Sequence, residues 1–191
     1  MDRRQQKTRE AIFTAFSALL AKKRYSKITV QEIIDAANVG RTTFYAHFGA
    51  KDDLLKALCE ELFGHILRSA LDCTHTHGLY SAQNAPESVF CHLLQHLQEN
   101  QNLIDLLTSE SSELFLRYFR DSLNGLVRSQ LEHQPRKWNA DVPQDFLIHH
   151  ISGSFVEMVL WWVQGHRSQT PEALDRYFRA VIEPILYTRT H

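Results

Sequence analysis

Apolar positions recur along the chain at helical intervals. Between Arg3 and about Lys23, Ile12, Phe16, Leu19 and Leu20 fall at i, i+4, i+7 and i+8, which places them on one face of a helix. After Lys22-Lys23-Arg24-Tyr25, the run Thr29-Val30-Gln31-Glu32 carries a capping box, in which the threonine hydroxyl and the glutamate satisfy each other's backbone N–H groups. A short helix follows from Thr29 to about Ala37, burying Val30, Ile33, Ile34 and Ala37, and Asn38-Val39-Gly40 breaks it. Asn38 suits a left-handed cap at that break. A second short helix, from about Arg41 to Phe48, sets Phe44 and Phe48 one turn apart on its inner side before Gly49-Ala50 stops it.

Lys51-Asp52-Asp53 then opens a long helix with Leu54/Leu55, Leu58, Leu62 and Ile66 as its apolar stripe, running toward Cys73–Gly78. The stretch 78–86 reads as a loop. Further helices are expected at about 86–100, 103–108 and 111–131, with a connection over 135–143. Two last helices cover about 144–166 and 171–187, the second introduced by Thr170 as N-cap and Pro171 at the first helical position.

Only 7 Gly and 5 Pro among 191 residues agree with long helices joined by few turns, so the expected class is all-α. A hydrophobic share of 43% with 23% charged residues belongs to a folded chain. The expected organisation is a three-helix helix-turn-helix head over residues 1–50, followed by a helical regulatory and dimerisation body over 51–191. The net charge of −1 conceals a division that matters: through Lys51 there are 10 basic against 4 acidic residues, and beyond it 11 against 18. A head of +6 on a body of −7 fits a head that meets a polyanion. No run of 18 apolar residues appears, and the first residues are polar without a signal-peptide core, so no membrane partner is expected. Cys59, Cys73 and Cys91, odd in number and without framework spacing, fit a reducing cytoplasm.

Two short helices across a tight turn form a helix-turn-helix, whose second helix fits a DNA major groove about 12 Å wide. With Phe44 and Phe48 turned inward, Arg41, Thr42, Thr43, Tyr45 and His47 are left to face outward. The run Ile28 to Leu54, with its Thr-initiated helix, Val39-Gly40 turn, Thr43-Phe44-Tyr45-Ala46-His47-Phe48 core and Lys51-Asp52-Asp53-Leu54 start, resembles the DNA-binding head of the TetR/AcrR family. The resemblance implies that Tyr45, His47 and Lys51 contact phosphates and that Thr29 meets the DNA backbone at a helix N-terminus. Arg41, Thr42 and Thr43 are then candidates for base edges, Arg41 through bidentate bonds to guanine O6 and N7.

The region from His149 to Leu186 is similar to the branch of that family containing the dihydroxyacetone-kinase regulator. In such proteins the last two helices pair with their two-fold mates, which implies a homodimer on a palindromic operator in double-stranded DNA. Ile151, Phe155, Met158, Tyr177, Phe178, Val181 and Ile185 are the expected interface. The family also implies a small-molecule inducer pocket, for which Phe90, Leu94, Leu97, Phe115, Phe119, Glu157 and Trp162 are candidates. No cofactor is expected beyond such an effector, whose identity the sequence leaves open. His92 and His96, at i and i+4, could share a metal with Cys91 or with another helix, and Cys73, His75 and His77 form a second cluster with metal-binding chemistry. Neither has a third and fourth ligand at convincing spacing, so no metal site is assigned. The chain has no glycine-rich phosphate loop or nucleophile elbow, and no enzyme activity is expected. The reading is a repressor released from its operator by a small molecule. Two alternatives stay open: a coactivator working through a partner protein, and a metal-responsive regulator.

Overall fold

The computed structural model describes residues 3–72, 88–108, 112–133 and 142–186, and every regular element among them is helical. In chain order these are α1 (Arg3–Leu20), one 3-10 turn (Tyr25–Lys27), α2 (Val30–Ala37), α3 (Arg41–His47), α4 (Asp52–Asp72), α5 (Val89–Glu99), α6 (Gln101–Thr108), α7 (Ser112–His133), α8 (Gln144–Val163) and α9 (Pro171–Leu186). The all-α class is as expected. The 78–86 loop, most of the 135–143 connection, and Cys73, His75 and His77 lie outside the described residues.

Local chemistry sets most of the boundaries. At α2 the Glu32 N–H donates to the Thr29 hydroxyl at 3.2 Å, and the Glu32 carboxylate accepts from the Thr29 N–H at 2.9 Å, closing the capping box. At its other end Asn38 takes φ 51° and ψ 48°, and its N–H reaches back to the carbonyls of Ile34 and Asp35. Asparagine tolerates that left-handed conformation better than most residues, which ends α2 and opens the tight turn into α3. Helix α1 stops at Leu20, three residues before the expected Lys23, because the chain turns there and Tyr25 folds inward in the 3-10 turn to become buried. At α5, Ser88 caps through a 3.0 Å bond from the Cys91 N–H, and its hydroxyl also donates to the buried Asp175 of α9. One serine thus ends a loop and fastens two distant helices.

Helix α1 packs on α2, and α2 on α3, to make the head. In the body, α4 lies against α5 and α7, α7 against α8, and α9 against α5 and α8. A single apolar cluster runs through both parts, from Ile12, Phe16, Ile33 and Phe44 in the head, through Leu54 and Leu55 of α4, to Phe119, Phe155 and Trp162 in the body. Helix α4 therefore shares its buried face with both. Among the described residues only α8 is long and apolar enough to cross a membrane, and 44% of that stretch is buried inside the protein. Its apolarity reflects a helix with one face in the core and another facing outward.

Phe119 has no exposed surface and meets Phe63 of α4 edge-on at 5.1 Å and Phe115 at 6.0 Å, so it joins α7 to α4. Phe119→Ala is expected to cost about 3–5 kcal/mol of unfolding free energy. Arg120→Ala, next to it but exposed, should stay within about 0.5 kcal/mol. Urea denaturation of the two variants side by side checks both.

Candidate nucleic-acid interface and the sites of the body

Helix α3 presents two chemically different sides. Phe44 and Phe48 are 0% and 3% exposed and stack against each other with centroids 6.0 Å apart. Arg41, Thr42, Thr43, Tyr45 and Ala46 are exposed, and His47 is half-buried at the last turn. The Tyr45 ring stands edge-on to Phe44 at 5.3 Å while 46% of the residue remains in solvent. Packing thus aims the phenol outward, and its hydroxyl has no protein partner among the described residues. The Arg9 guanidinium lies 5.3 Å over the Phe48 ring, which brings α1's basic segment beside α3.

Two of the expected DNA contacts are engaged within the protein. Lys51 sits above the Tyr25 ring at 4.1 Å and donates to the carbonyls of Tyr25 and Ile28 at 3.0 and 2.8 Å. An ammonium has three N–H donors, so one is left for a phosphate. Desolvation lowers the Lys51 pKa from its ordinary value. The Thr29 hydroxyl donates to the Glu32 carboxylate at 2.9 Å while accepting from the Glu32 N–H, which fills its capacity as a donor. Beside Lys51, the Tyr25 hydroxyl donates to Asp52. Burial first, and then that carboxylate, hold the Tyr25 phenol in its neutral form far above its usual pKa. Together these bonds close the chain between α1 and α2 onto the first turn of α4. Sequence reasoning did not find this clasp, because its partners are 26 and 27 residues apart and no local spacing relates them.

In the body, three of the expected interface residues belong to the protomer's own core. Ile151, Phe155 and Phe178 are at most 4% exposed, and Phe155 and Phe178 both pack on Phe90 at 5.0 and 4.8 Å. Outside that core the same helices carry Phe146 and Trp161 on α8 and Tyr177, Val181 and Ile185 on α9, all exposed, with Met158 half-buried. Helix α8 is apolar on both sides and α9 has two apolar stripes, so periodicity alone could not say which side faces inward. Phe146 and Trp161 were missed for that reason.

The expected pocket residues need a similar correction. Phe90, Leu94, Leu97, Phe115, Phe119 and Trp162 are at most 2% exposed and belong to the core cluster. The Trp162 indole N–H donates to the Gln169 carbonyl at 3.1 Å, which accounts for its one polar atom. Glu157 is exposed on the outer side of α8. A cleft of about 230 Å³ does occur elsewhere, between the end of α1, the 3-10 turn and Asn102, Asp105 and Leu106 of α6.

The metal reading also changes. His65 of α4 meets His92 and His96 of α5, and the ligand nitrogens of all three lie within 4.8 Å of one another. The third ligand comes from another helix, 27 positions upstream of His92, where local spacing does not show it. Of the two expected companions, Cys91 is buried outside this group, and the other, a ligand from another helix, is His65.

A basic head with an outward-facing second helix, continuous with an all-helical body, defines a helix-turn-helix regulator. Residues 12–58 match the family model of bacterial regulatory proteins of the tetR family, and residues 84–184 match that of a transcriptional regulator C-terminal region. A TetR transcriptional regulator from Streptococcus agalactiae 2603V is 38% identical in its crystal structure, with a TM-score of 0.67 over 95% of this chain and 96% of that one. YxbF of Bacillus subtilis strain 168, an uncharacterized HTH-type transcriptional regulator, is 27% identical over 183 residues, 93% of this chain and 45% of its own. The chain thus spans about half the length of that relative. DhaS of Lactococcus lactis, an HTH-type dhaKLM operon transcriptional activator, is 26% identical over 143 residues, 73% of this chain and 71% of its own. The chain belongs to the TetR family of transcriptional regulators.

The capping box yields a pH prediction. Glu32 is drawn from its ordinary 4.5 down to about 2, chiefly by its bond to the Lys23 ammonium and then by the Thr29 N–H and hydroxyl. A depressed carboxyl pKa stabilises the fold fully above the unfolded value, and that stability is lost as pH falls through the folded value. The stability advantage of the wild type over Glu32→Gln should therefore be constant above about pH 5 and shrink between 4.5 and about 2. Denaturation midpoints at a series of pH values measure it; an advantage unchanged across that window would show that Glu32 is not held this way.

Proposed function

We propose that this chain is a homodimeric, sequence-specific DNA-binding regulator that occupies a palindromic operator, acting as a repressor released by a small molecule. The observation that carries the reading is the face of α3, where buried Phe44 and Phe48 fix the helix and leave Arg41, Thr42, Thr43 and Tyr45 in solvent. On this reading Arg41 and the two threonines read base edges, while Tyr45 and His47 donate to phosphates. Lys51 adds its remaining N–H to a phosphate while its other two hold the clasp, and Thr29 contributes through the exposed start of α2. Such a protein works where the chromosome is, in the cytoplasm.

The dimer is supported by the distribution of exposed apolar surface. Among the described residues, every exposed large apolar side chain except Tyr45 lies on α8 or α9. Pairing these faces about a two-fold axis would cover them and set two heads on successive major grooves. Release requires an effector that prefers a state with different head spacing, by a few kcal/mol. A second reading, activation through a partner protein, is favoured by one observation. The similarity to DhaS, an operon activator, extends over most of the chain.

Two experiments test the proposal. Fluorescence anisotropy on DNA flanking the protein's own gene should show tight, steeply salt-dependent binding. Tyr45→Phe should weaken it by about 1 kcal/mol across sequences, and Arg41→Ala by about 1–3 kcal/mol with relaxed specificity. Equal, weak binding to all fragments by wild type and variants would sink the operator reading. For the interface, Val181→Asp should give a monomer by sedimentation equilibrium with an unchanged circular dichroism spectrum. If that variant stays dimeric, the dimer is built on another face.

A further inference from the structure

The histidines of α4 and α5 form a constellation that the DNA-binding reading does not use. His92 and His96 are one turn apart on α5, and their Nε2 atoms are 3.1 Å from each other. His65 reaches them from α4, with its ring 5.7 Å from that of His92 and 4.9 Å from that of His96. Zinc-bound imidazole nitrogens sit about 2.0–2.1 Å from the ion, which separates neighbouring ligands in a tetrahedron by about 3.3 Å. The α5 pair already has nearly that separation, and the three ligand atoms span no more than 4.8 Å. His65 is exposed, so it closes the remaining distance by a small side-chain rotation without displacing core residues.

Ring contact alone gives a weak account of the trio. Three imidazoles repel one another if protonated, and edge contacts between them contribute only about 1 kcal/mol. The Nε2 atoms of His92 and His96 share a hydrogen bond, one donating to the other; with that proton moved to Nδ1, the ring nitrogens converging from two helices form a ligand set for a divalent ion. We propose that His65, His92 and His96 form a transition-metal site joining α4 to α5, for a divalent ion of the kind that favours imidazole, such as zinc. Three nitrogen ligands without thiolate exclude a closed thiolate-rich site and leave at least one position for water or an exogenous donor. Glu99, the charged group near His96 on the same helix, is acidic and favours a cation there.

The position of the site gives it a consequence. His65 lies thirteen residues along α4 from Asp52, about 20 Å at 1.5 Å per residue, and Asp52 is held to the head by Tyr25. A metal bridging His65 to α5 fixes α4 against the body and thereby the angle at which the head is carried. This coupling rests on the DNA-binding reading; the metal site itself does not.

The test uses the full chain, stripped of metal with a chelator and titrated with Zn²⁺ by calorimetry and with Co²⁺ by visible absorption. The expected result is one equivalent per chain, with ligand-field bands that report nitrogen coordination. His65→Gln and His96→Gln should each weaken binding at least about tenfold, the lower end of what even outer-shell changes cost. Their circular dichroism spectra should match the wild type. Absence of a stoichiometric site, or binding unchanged in both variants, overturns the proposal. In a second arm, Zn²⁺ should change the affinity for operator DNA in the wild type and not in His65→Gln. Full metal binding without that change would overturn the coupling while upholding the site.

Discussion

The first turn of α4 is held from outside its own helix. Tyr25 donates its phenol to Asp52, and Lys51 lies over the same ring while donating to the carbonyls of Tyr25 and Ile28. Those carbonyls belong to the stretch that leaves α1 and enters α2, where the Tyr25 carbonyl also accepts from the Ile28 N–H in the 3-10 turn at 3.1 Å. A cation there satisfies two of them at once, and the buried aromatic ring beneath it excludes water. The bonds therefore determine where α2 begins, and through the capping box and Asn38 turn, how α3 is presented. The angle between head and α4 is set at the same point.

Continuity of the core follows from this arrangement. Leu54 and Leu55 are fully buried directly after the clasp, in the same apolar cluster that contains Phe44 on one side and Phe119 on the other. A shift of α4 against the body must then be felt at α3, because close-packed interiors transmit displacement rather than absorb it. The histidine trio bears on this same helix, and Ser88 with Asp175 fastens α5 to α9 behind it. The buried face of α4 is thus a packed connection between the body and α3.

Much of this was legible in the residues themselves. The capping box, the left-handed Asn38, the two phenylalanines of α3 and the Thr170-Pro171 start of α9 are local signals, each set by residues within a few positions of one another. The exposed side chains of α3 could be named because a helix anchored by Phe44 and Phe48 leaves only one side free. What stayed hidden depends on tertiary contact. Ile151, Phe155 and Phe178 share helices with an equally apolar outer face, so nothing in their spacing distinguishes core from interface. The clasp joins residues 23 to 27 positions apart and the trio brings His65 to a pair that begins 27 positions downstream, and Lys51 shows how a residue read as a surface donor can first be needed inside. The aromatic residues expected to line a pocket lie in the core cluster, and a stripe of large apolar side chains reads the same in sequence whether it lines a pocket or fills a core.

The central claim is that α3, paired by two-fold symmetry through α8 and α9, reads DNA. Selection of binding sites from a library of random duplexes with the full chain tests it most directly. The account predicts an enriched inverted repeat whose half-sites are separated by about one helical turn, 10–10.5 base pairs, or a multiple of it. Enrichment of a single asymmetric motif, or of none, would contradict it.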